Sequence, residues 1–154
     1  MTDTMTETQD LEFIRDYKVS VARLWRAVTE PAELVQWFGP EGVDIAESSM
    51  ELSKRGPWTC TMVGRESGDR FKVSGVVTHV RPPEDAEGSV GLTWAWHDDN
   101  DKRGHESHVI FEVSAHDGGA RLRLIHRDLD SVDTAQKHTQ GWLSTLRKLD
   151  THLA

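Results

Sequence analysis

The last stretch of the chain, roughly residues 132–153, constrains the fold more than any other segment. Its apolar residues recur at spacings of three and four, the period of one face of an α-helix. They are Trp142, Leu146, Leu149 and Leu153, with His138 one turn before the tryptophan. This helix follows a long run of predicted strands, so the sheet is the surface available to its apolar face. We therefore predict one long helix packed across a sheet.

Gly141 lies beside Trp142 in the middle of this helix. A glycine in a helix interior costs about 1 kcal/mol relative to alanine. Gly141 therefore indicates either a close backbone approach or room for something else. A large aromatic residue and a histidine on a helix that lies over a curved sheet are typical of an internal pocket. The pattern predicts the pocket and leaves its contents open.

Two short helices are predicted between the first strand, residues 11–19, and the rest of the sheet. Ser20 is a suitable N-cap for the first helix, and apolar residues follow it at positions i, i+3, i+4 and i+7. Pro31 suits the first position of the second helix. The apolar side of that second helix comprises Leu34, Trp37 and Phe38, and Gly39-Pro40 ends it.

Apolar residues that alternate with polar ones, between turns rich in Gly, Pro and Asp, predict six further strands. They are expected at residues 43–53, 58–65, 70–80, 90–97, 105–113 and 120–127, with an acidic loop that opens at Pro82-Pro83. The strands are segregated from the helices, so the fold class is α+β. The expected architecture is a helix-grip arrangement, in which a seven-stranded curved antiparallel sheet wraps around a long C-terminal helix and two short helices follow strand 1.

The composition fits a globular protein of 154 residues with a single core. We expect a disordered leader at residues 1–10 and one domain at residues 11–154. No run approaches the roughly 20 apolar residues of a membrane span. The polar, acidic start lacks the pattern of a signal peptide, so a cytoplasmic location is expected. Cys60 is the only cysteine, and a buried structural thiol is expected there.

The formal net charge of −8 argues against a nucleic-acid partner, because phosphate binding needs a basic surface. A zinc site is not expected, since His105 and His108 would face opposite sides of one strand and Cys60 lies on another. The acidic run at residues 98–101 lacks the glycine and the glutamate of a calcium loop. Motifs for a nucleophilic serine, a phosphate loop or a dinucleotide are absent. Neither a metal nor a cofactor is therefore predicted.

Short segments distributed along the chain form an ordered set. They are VARLWRAVT at residues 21–29, LVQWFGP at 34–40, GPW at 56–58, GV at 75–76 followed by VRPP at 80–83, LTW at 92–94, GHES at 104–107 and QGW at 140–142. This set resembles the START-like (SRPBCC, helix-grip) superfamily, and within it the bacterial relatives of the activator of heat-shock-protein ATPase. The resemblance spans about residues 11–153. It implies a cavity between the sheet and the C-terminal helix that accepts an apolar or amphipathic small molecule.

The residues expected to line this cavity are mostly aromatic, with two histidines and a leucine. They are Trp37, Phe38, Trp58, Trp94, Trp96, Phe111, His126, His138, Trp142 and Leu146. Core packing is the alternative for the tryptophans, because a buried indole supplies apolar bulk in either place and needs a partner for its N–H. The two histidines are interpreted as hydrogen-bonded core residues, as groups that orient a ligand, or as groups for metal binding or acid–base work.

Three functional hypotheses follow, because the fold alone does not determine function. The leading hypothesis is a binding protein without enzymatic activity, which holds an apolar, aromatic or lipid-like small molecule. The second is an enzyme of cyclase or hydrolase type that uses His126 or His138 for proton transfer. The third is a co-chaperone-like protein that modulates a heat-shock ATPase, and it depends on the resemblance alone. A homodimer is compatible with all three.

Overall fold

Strands and helices follow one another in the predicted order in the computed structural model, which describes residues 8–84 and 86–154. The elements are β1 (Gln9–Tyr17), α1 (Val21–Thr29), α2 (Pro31–Trp37), β2 (Val43–Ser48), β3 (Gly56–Gly64), β4 (Arg70–Glu84), β5 (Glu87–Trp96), β6 (Ser107–His116), β7 (Gly119–Leu129) and α3 (Val132–His152). The predicted α+β class with seven strands and a long C-terminal helix is confirmed.

All neighbouring strands are antiparallel, and their order across the sheet is β1-β7-β6-β5-β4-β3-β2. The register shifts once in the β1–β7 pair, once in the β2–β3 pair and twice in the β4–β5 pair. Such irregularities bend strands and increase their twist. The sheet is therefore curved, and α3 lies against its concave face, as the helix-grip prediction requires.

Serine caps begin the first and last helices. The Ser20 hydroxyl accepts from the Arg23 N–H at 3.0 Å, and the Ser131 hydroxyl accepts from the Thr134 N–H at 3.1 Å. Each bond satisfies a backbone N–H that has no partner within the first turn of a helix. The cap at Ser131 fixes where α3 begins, and thereby which of its residues face the sheet.

The first strand begins and ends two residues earlier than predicted. Gln9 is paired with Leu129, so Gln9 and Asp10 belong to β1 and not to a leader. Residues 1–7 of the predicted leader lie outside the described residues. The error has a physical reason, because the edge strand β1 is half exposed and its polar residues on the outer face resemble those of a polar tail.

Most other strand boundaries differ from the prediction by one to three residues, and two differ by more. The strand predicted at residues 43–53 ends at Ser48, and the N–H of Leu52 instead donates to the Thr29 carbonyl of α1 at 2.9 Å. Met50 and Leu52 are both buried, which explains why their spacing resembled that of a strand. The predicted loop at Pro82-Pro83 belongs to β4, which continues to Glu84 with an irregular register. Prolines are tolerated at such irregular positions, because they need not donate to the sheet.

The convex face of the sheet is polar. Arg121 is paired with Asp16 at 2.7 Å, and Arg123 contacts Glu12 and Glu112 across three adjacent strands. This is the solvated strand face predicted from the alternation of arginine and leucine. On the concave side, Cys60 is buried, and burial raises the pKa of its thiol to about 11, so the thiol stays protonated at neutral pH.

Candidate functional site: a cavity between the sheet and α3

A cavity of about 570 Å³ lies between α3 and the half of the sheet formed by β2 to β5. The turn after α2 contributes Phe38, Gly39 and Pro40, and the strands contribute Val43, Met62, Phe71, Trp94 and Trp96. The part of α3 from its first turn to Thr145 contributes Thr134, Lys137, His138, Gly141, Trp142 and Thr145. Most of this lining is apolar. One of the apolar lining residues, Phe71, is 45% exposed.

Half of the predicted cavity residues line this space, and half do not. The structure brings together Phe38, Trp94, Trp96, His138 and Trp142 around the cavity. The other five, Trp37, Trp58, Phe111, His126 and Leu146, lie in the core outside that lining. Sequence alternation indicates which face of an element points inward, but it does not indicate how deep a side chain lies. Trp37, for which core packing was the alternative, and Trp58 are both fully buried.

Several lining residues were missed, although two patterns could have identified some of them. Met62 continues the inward alternation of Trp58 and Cys60 along β3. Thr134 and Thr145 lie four residues from His138 and Gly141, on one helix face. Neither threonine was predicted, because the cavity prediction was based on apolar and aromatic residues. No local pattern distinguishes Val43 or Phe71 from other strand residues.

Gly141 faces the open space of the cavity. A β-carbon built at this position would meet no atom within 4 Å, so no neighbouring backbone approaches it. Of the two interpretations of a glycine in the helix interior, the structure favours room for something else. The chain has a residue without a side chain where any larger residue would extend into the cavity.

Trp142 and His126, both buried, form the first of two tryptophan–histidine pairs. The indole N–H of Trp142 donates to Nδ1 of His126 at 2.9 Å. An indole nitrogen can only donate, so Nδ1 is the unprotonated nitrogen and Nε2 bears the hydrogen. Nε2 lies 2.7 Å from the Ser107 hydroxyl, which in turn donates to the Trp94 carbonyl at 3.3 Å. Every polar atom in this chain of bonds therefore has a partner.

Trp96 and His138 form the second pair. The Trp96 indole N–H donates to Nε2 of His138 at 2.9 Å, and Nδ1 of His138 lies 2.8 Å from the Thr134 carbonyl. The hydrogen of this ring is therefore on Nδ1, the opposite tautomer to that of His126. The two imidazole rings lie 4.9 Å apart between their centroids, at an angle of 80°.

Both histidines are held neutral. Burial, followed by the repulsion that His138 and His108 exert when protonated, lowers the pKa of His126 to about 3. Burial also lowers the pKa of His138, although the Thr134 carbonyl acts in the opposite direction. Because an indole occupies the acceptor nitrogen of each ring, neither imidazole has a free lone pair toward the cavity. The geometry matches a hydrogen-bonded core residue for His126 and a hydrogen-bonded residue of the cavity wall for His138.

Trp94 lies at the centre of the aromatic cluster. Its ring is 5.5–5.9 Å from the rings of Phe38, Trp58, Trp96, His126 and Trp142. Within residues 8–84 and 86–154, its Nε1 is the one buried side-chain nitrogen or oxygen without a hydrogen-bond partner. A buried donor left unpaired costs about 1–3 kcal/mol. This N–H is an exception among the buried indoles of the molecule.

A separate polar cluster lies on the convex face of the sheet. The Ser74 hydroxyl is 2.6 Å from Nε2 of His97, and Nδ1 of His97 is 2.8 Å from the Asp101 carboxylate. The order serine–histidine–aspartate resembles that of hydrolases, but the guanidinium of Arg103 covers Ser74 and donates to its hydroxyl at 3.0 Å. The cluster holds the loop between β5 and β6 against the sheet.

The described part of the chain has no group of three or more His, Cys, Asp or Glu side chains placed to hold a metal ion. Nor does any helix in that part combine the length and the apolar character needed to cross a membrane.

Known proteins share both the sequence and the fold. The family model described as activator of Hsp90 ATPase homolog 1-like protein matches residues 18–154. A crystal structure of the AHSA1 protein from Silicibacter pomeroyi is 46% identical, with a TM-score of 0.87 over 94% of this chain and 97% of that one. No match is found among curated proteins.

More distant structures share the same fold. A protein from Rhodobacter sphaeroides is 25% identical, with a TM-score of 0.74 over 94% of this chain and 91% of that one. A protein from Chromobacterium violaceum is 17% identical, with a TM-score of 0.80 over 94% and 96% of the two chains. At this lower identity the likeness concerns the fold alone. The resemblance seen in the sequence is confirmed by the family model and by the structure that is 46% identical.

Proposed function

This chain belongs to the family of activator of Hsp90 ATPase homolog 1-like proteins, and from that premise we propose that it binds an apolar or aromatic small molecule in the cavity between its sheet and α3. The observation that supports this proposal most directly is the cavity of about 570 Å³, whose lining is mostly apolar. Ligand sites in proteins commonly enclose about 300–1,000 Å³ and are lined mainly by apolar and aromatic residues.

The chemistry of the lining supports an apolar guest. The indoles of Trp96 and Trp142 and the ring of His138 bond within the protein, and the Thr145 hydroxyl donates to the Gly141 carbonyl at 2.8 Å. These groups present carbon surface to the cavity. Burial of apolar surface is favourable by about 25 cal/mol per Å², so affinity is expected to come mainly from the fit of hydrocarbon or aromatic groups.

The alternatives have less support. Proton transfer by His126 or His138 would need a free nitrogen near the cavity, and both rings use both nitrogens in bonds within the protein. Modulation of a heat-shock ATPase has the family description behind it and no surface feature of the described residues that favours it.

The proposal is tested with isopropenylnaphthalene, a neutral hydrocarbon smaller than the cavity. We expect it to quench tryptophan fluorescence and to raise the melting temperature, because it would contact Trp94, Trp96 and Trp142. The variant Gly141→Phe places a ring in the cavity and should weaken binding by about tenfold or more, a loss of about 1.4 kcal/mol.

Gly141→Ala is the matched control, since it adds only a methyl group where no atom lies within 4 Å. It should bind the probe as the native protein does. Equal binding to all three proteins would place the probe elsewhere, and no binding to the native protein would contradict the proposal for ligands of this class.

A further inference from the structure

The buried indole N–H of Trp94 is unpaired, whereas four other indoles have an acceptor within the protein. Trp37 donates to the Ala27 carbonyl at 2.8 Å, and Trp58 donates to the Thr93 carbonyl at 3.2 Å. Trp96 and Trp142 donate to histidines. The same protein thus provides an acceptor for each of these four indoles and provides none for Trp94, which is only 4% exposed.

Trp94 also borders two neighbouring cavities. It lines the large cavity, and it lines a smaller neighbouring one of about 150 Å³. Trp96, Thr134 and His138 are shared by the two linings as well. A molecule that fills either space is therefore in contact with the ring whose N–H lacks a partner.

From these two observations we infer that the ligand of the large cavity has a neutral carbonyl-type oxygen that accepts a hydrogen bond from the Trp94 indole N–H. The inference rests on the proposed function and specifies the ligand class: an apolar or aromatic ketone, ester or amide. The nitrogen atom is covered by its neighbours, so the ring must tilt for the bond to form. Trp94 then positions the ligand within an otherwise apolar site.

The charge distribution favours a neutral acceptor over a carboxylate. Lys137 is the one cationic side chain in the cavity lining, and it is mostly exposed, with its Nζ 3.2 Å from the Asp133 carboxylate. The chain has a formal net charge of −8. A carboxylate inside the cavity would lose its hydration without gaining an opposite charge, whereas a carbonyl oxygen needs only a single donor.

The test compares two probes of nearly the same shape. Acetylnaphthalene has a carbonyl oxygen where isopropenylnaphthalene, substituted at the same ring position, has a methylene group. We expect the native protein to bind the ketone about 3- to 10-fold more tightly than the hydrocarbon, the effect of one ordinary hydrogen bond. Trp94→Phe should abolish this preference, and Trp25→Phe, on the half-buried face of α1, should retain it.

A measurement on the native protein keeps the inference testable if Trp94→Phe does not fold. In proton–nitrogen NMR, the Trp94 indole N–H should shift downfield with acetylnaphthalene and not with isopropenylnaphthalene. Sequence-specific assignment identifies that resonance in the native protein.

The outcomes separate the two proposals. Equal affinity for both probes, or an indole resonance that responds to both in the same way, overturns the inference and leaves the proposed function standing. That result would mean that the N–H of Trp94 makes no hydrogen bond to a carbonyl oxygen in the cavity. If neither probe binds, the proposed function fails for this ligand class and the inference fails with it.

Discussion

The indole N–H of Trp142 on α3 donates to Nδ1 of His126 on β7 at 2.9 Å, and both residues are buried. The second pair crosses the same interface in the opposite direction, since Trp96 belongs to β5 and His138 to α3. The helix and the sheet therefore each contribute one indole donor and one imidazole acceptor. These two reciprocal bonds determine how α3 sits over the sheet next to the cavity.

The Trp142–His126 bond should appear as a coupling energy. Trp142→Phe and His126→Phe each leave a buried polar partner unpaired, which costs about 1–3 kcal/mol. The double variant removes both polar groups, so we expect it to be less destabilised than the sum of the two single variants by at least about 1 kcal/mol. Unfolding in urea measures all three free energies. As a control, the destabilisations caused by His126→Phe and Trp25→Phe should add in the double variant. If those of Trp142→Phe and His126→Phe also added, that result would contradict the Trp142–His126 hydrogen bond.

The neutral histidines make stability depend on pH in a defined direction. The pKa of His126 falls from 6.5 in the unfolded chain to about 3 in the folded protein, and the pKa of His138 is also lowered. Below about pH 6.5 the unfolded chain therefore binds more protons, and the free energy of unfolding decreases as the pH falls. The slope is up to about 1.4 kcal/mol per pH unit for each histidine.

Urea unfolding between about pH 7 and pH 5 measures this slope before most carboxylates titrate. His126→Gln retains an acceptor for Trp142 and removes one titrating group. The slope of its unfolding free energy against pH should therefore be smaller by the contribution of one histidine, up to about 1.4 kcal/mol per pH unit. An unchanged slope in that variant would show that His126 is not the group responsible.

Gly141→Ala should stabilise the protein by about 1 kcal/mol, the difference between glycine and alanine within a helix. The added methyl group meets no atom within 4 Å, so no steric cost opposes the gain. Gly75→Ala is the opposing control, because its β-carbon would lie 1.9 Å from the Thr93 carbonyl oxygen of the adjacent strand. The melting temperature should rise for Gly141→Ala and fall strongly for Gly75→Ala. Destabilisation by Gly141→Ala would mean that the space under α3 is closed.

Ser74→Ala should loosen the loop between β5 and β6. The hydroxyl of Ser74 contacts both His97 and Arg103, and its loss leaves these side chains without that anchor. We expect a loss of about 1 kcal/mol and faster hydrogen exchange at the N–H of Gly104, which donates to the Trp96 carbonyl at 2.8 Å.

Ser67→Ala is the control for this variant. Its hydroxyl accepts from the Asp69 N–H in a different turn, so exchange at Gly104 should not change. Unaltered exchange at Gly104 in Ser74→Ala would remove the anchoring role assigned to Ser74.

Residues 82–84 and 49–53 show where local patterns mislead. Pro82-Pro83 has the composition of a loop, yet it lies within β4, because Glu84 beyond it still pairs with Glu87 of β5. Met50 and Leu52 have the spacing of a strand, yet they leave the sheet because α1 offers a partner for the Leu52 N–H. In both places the deciding hydrogen bond comes from residues that are distant in sequence or lie on another element.

The sequence by itself determined the class of the fold, the number of strands, the face of α3 that packs inward and the importance of Gly141. These properties depend on periodicity, capping and composition, which are local and can be counted along the chain. Only the tertiary structure decided which inward side chains meet empty space and which fill the core. It also decided that His126 and His138 are neutral partners of Trp142 and Trp96, and that the indole of Trp94 has no partner. The depth of a side chain, its hydrogen-bond partners and its pKa depend on atoms from several elements at once. They therefore cannot be predicted from the spacing of residues within one element.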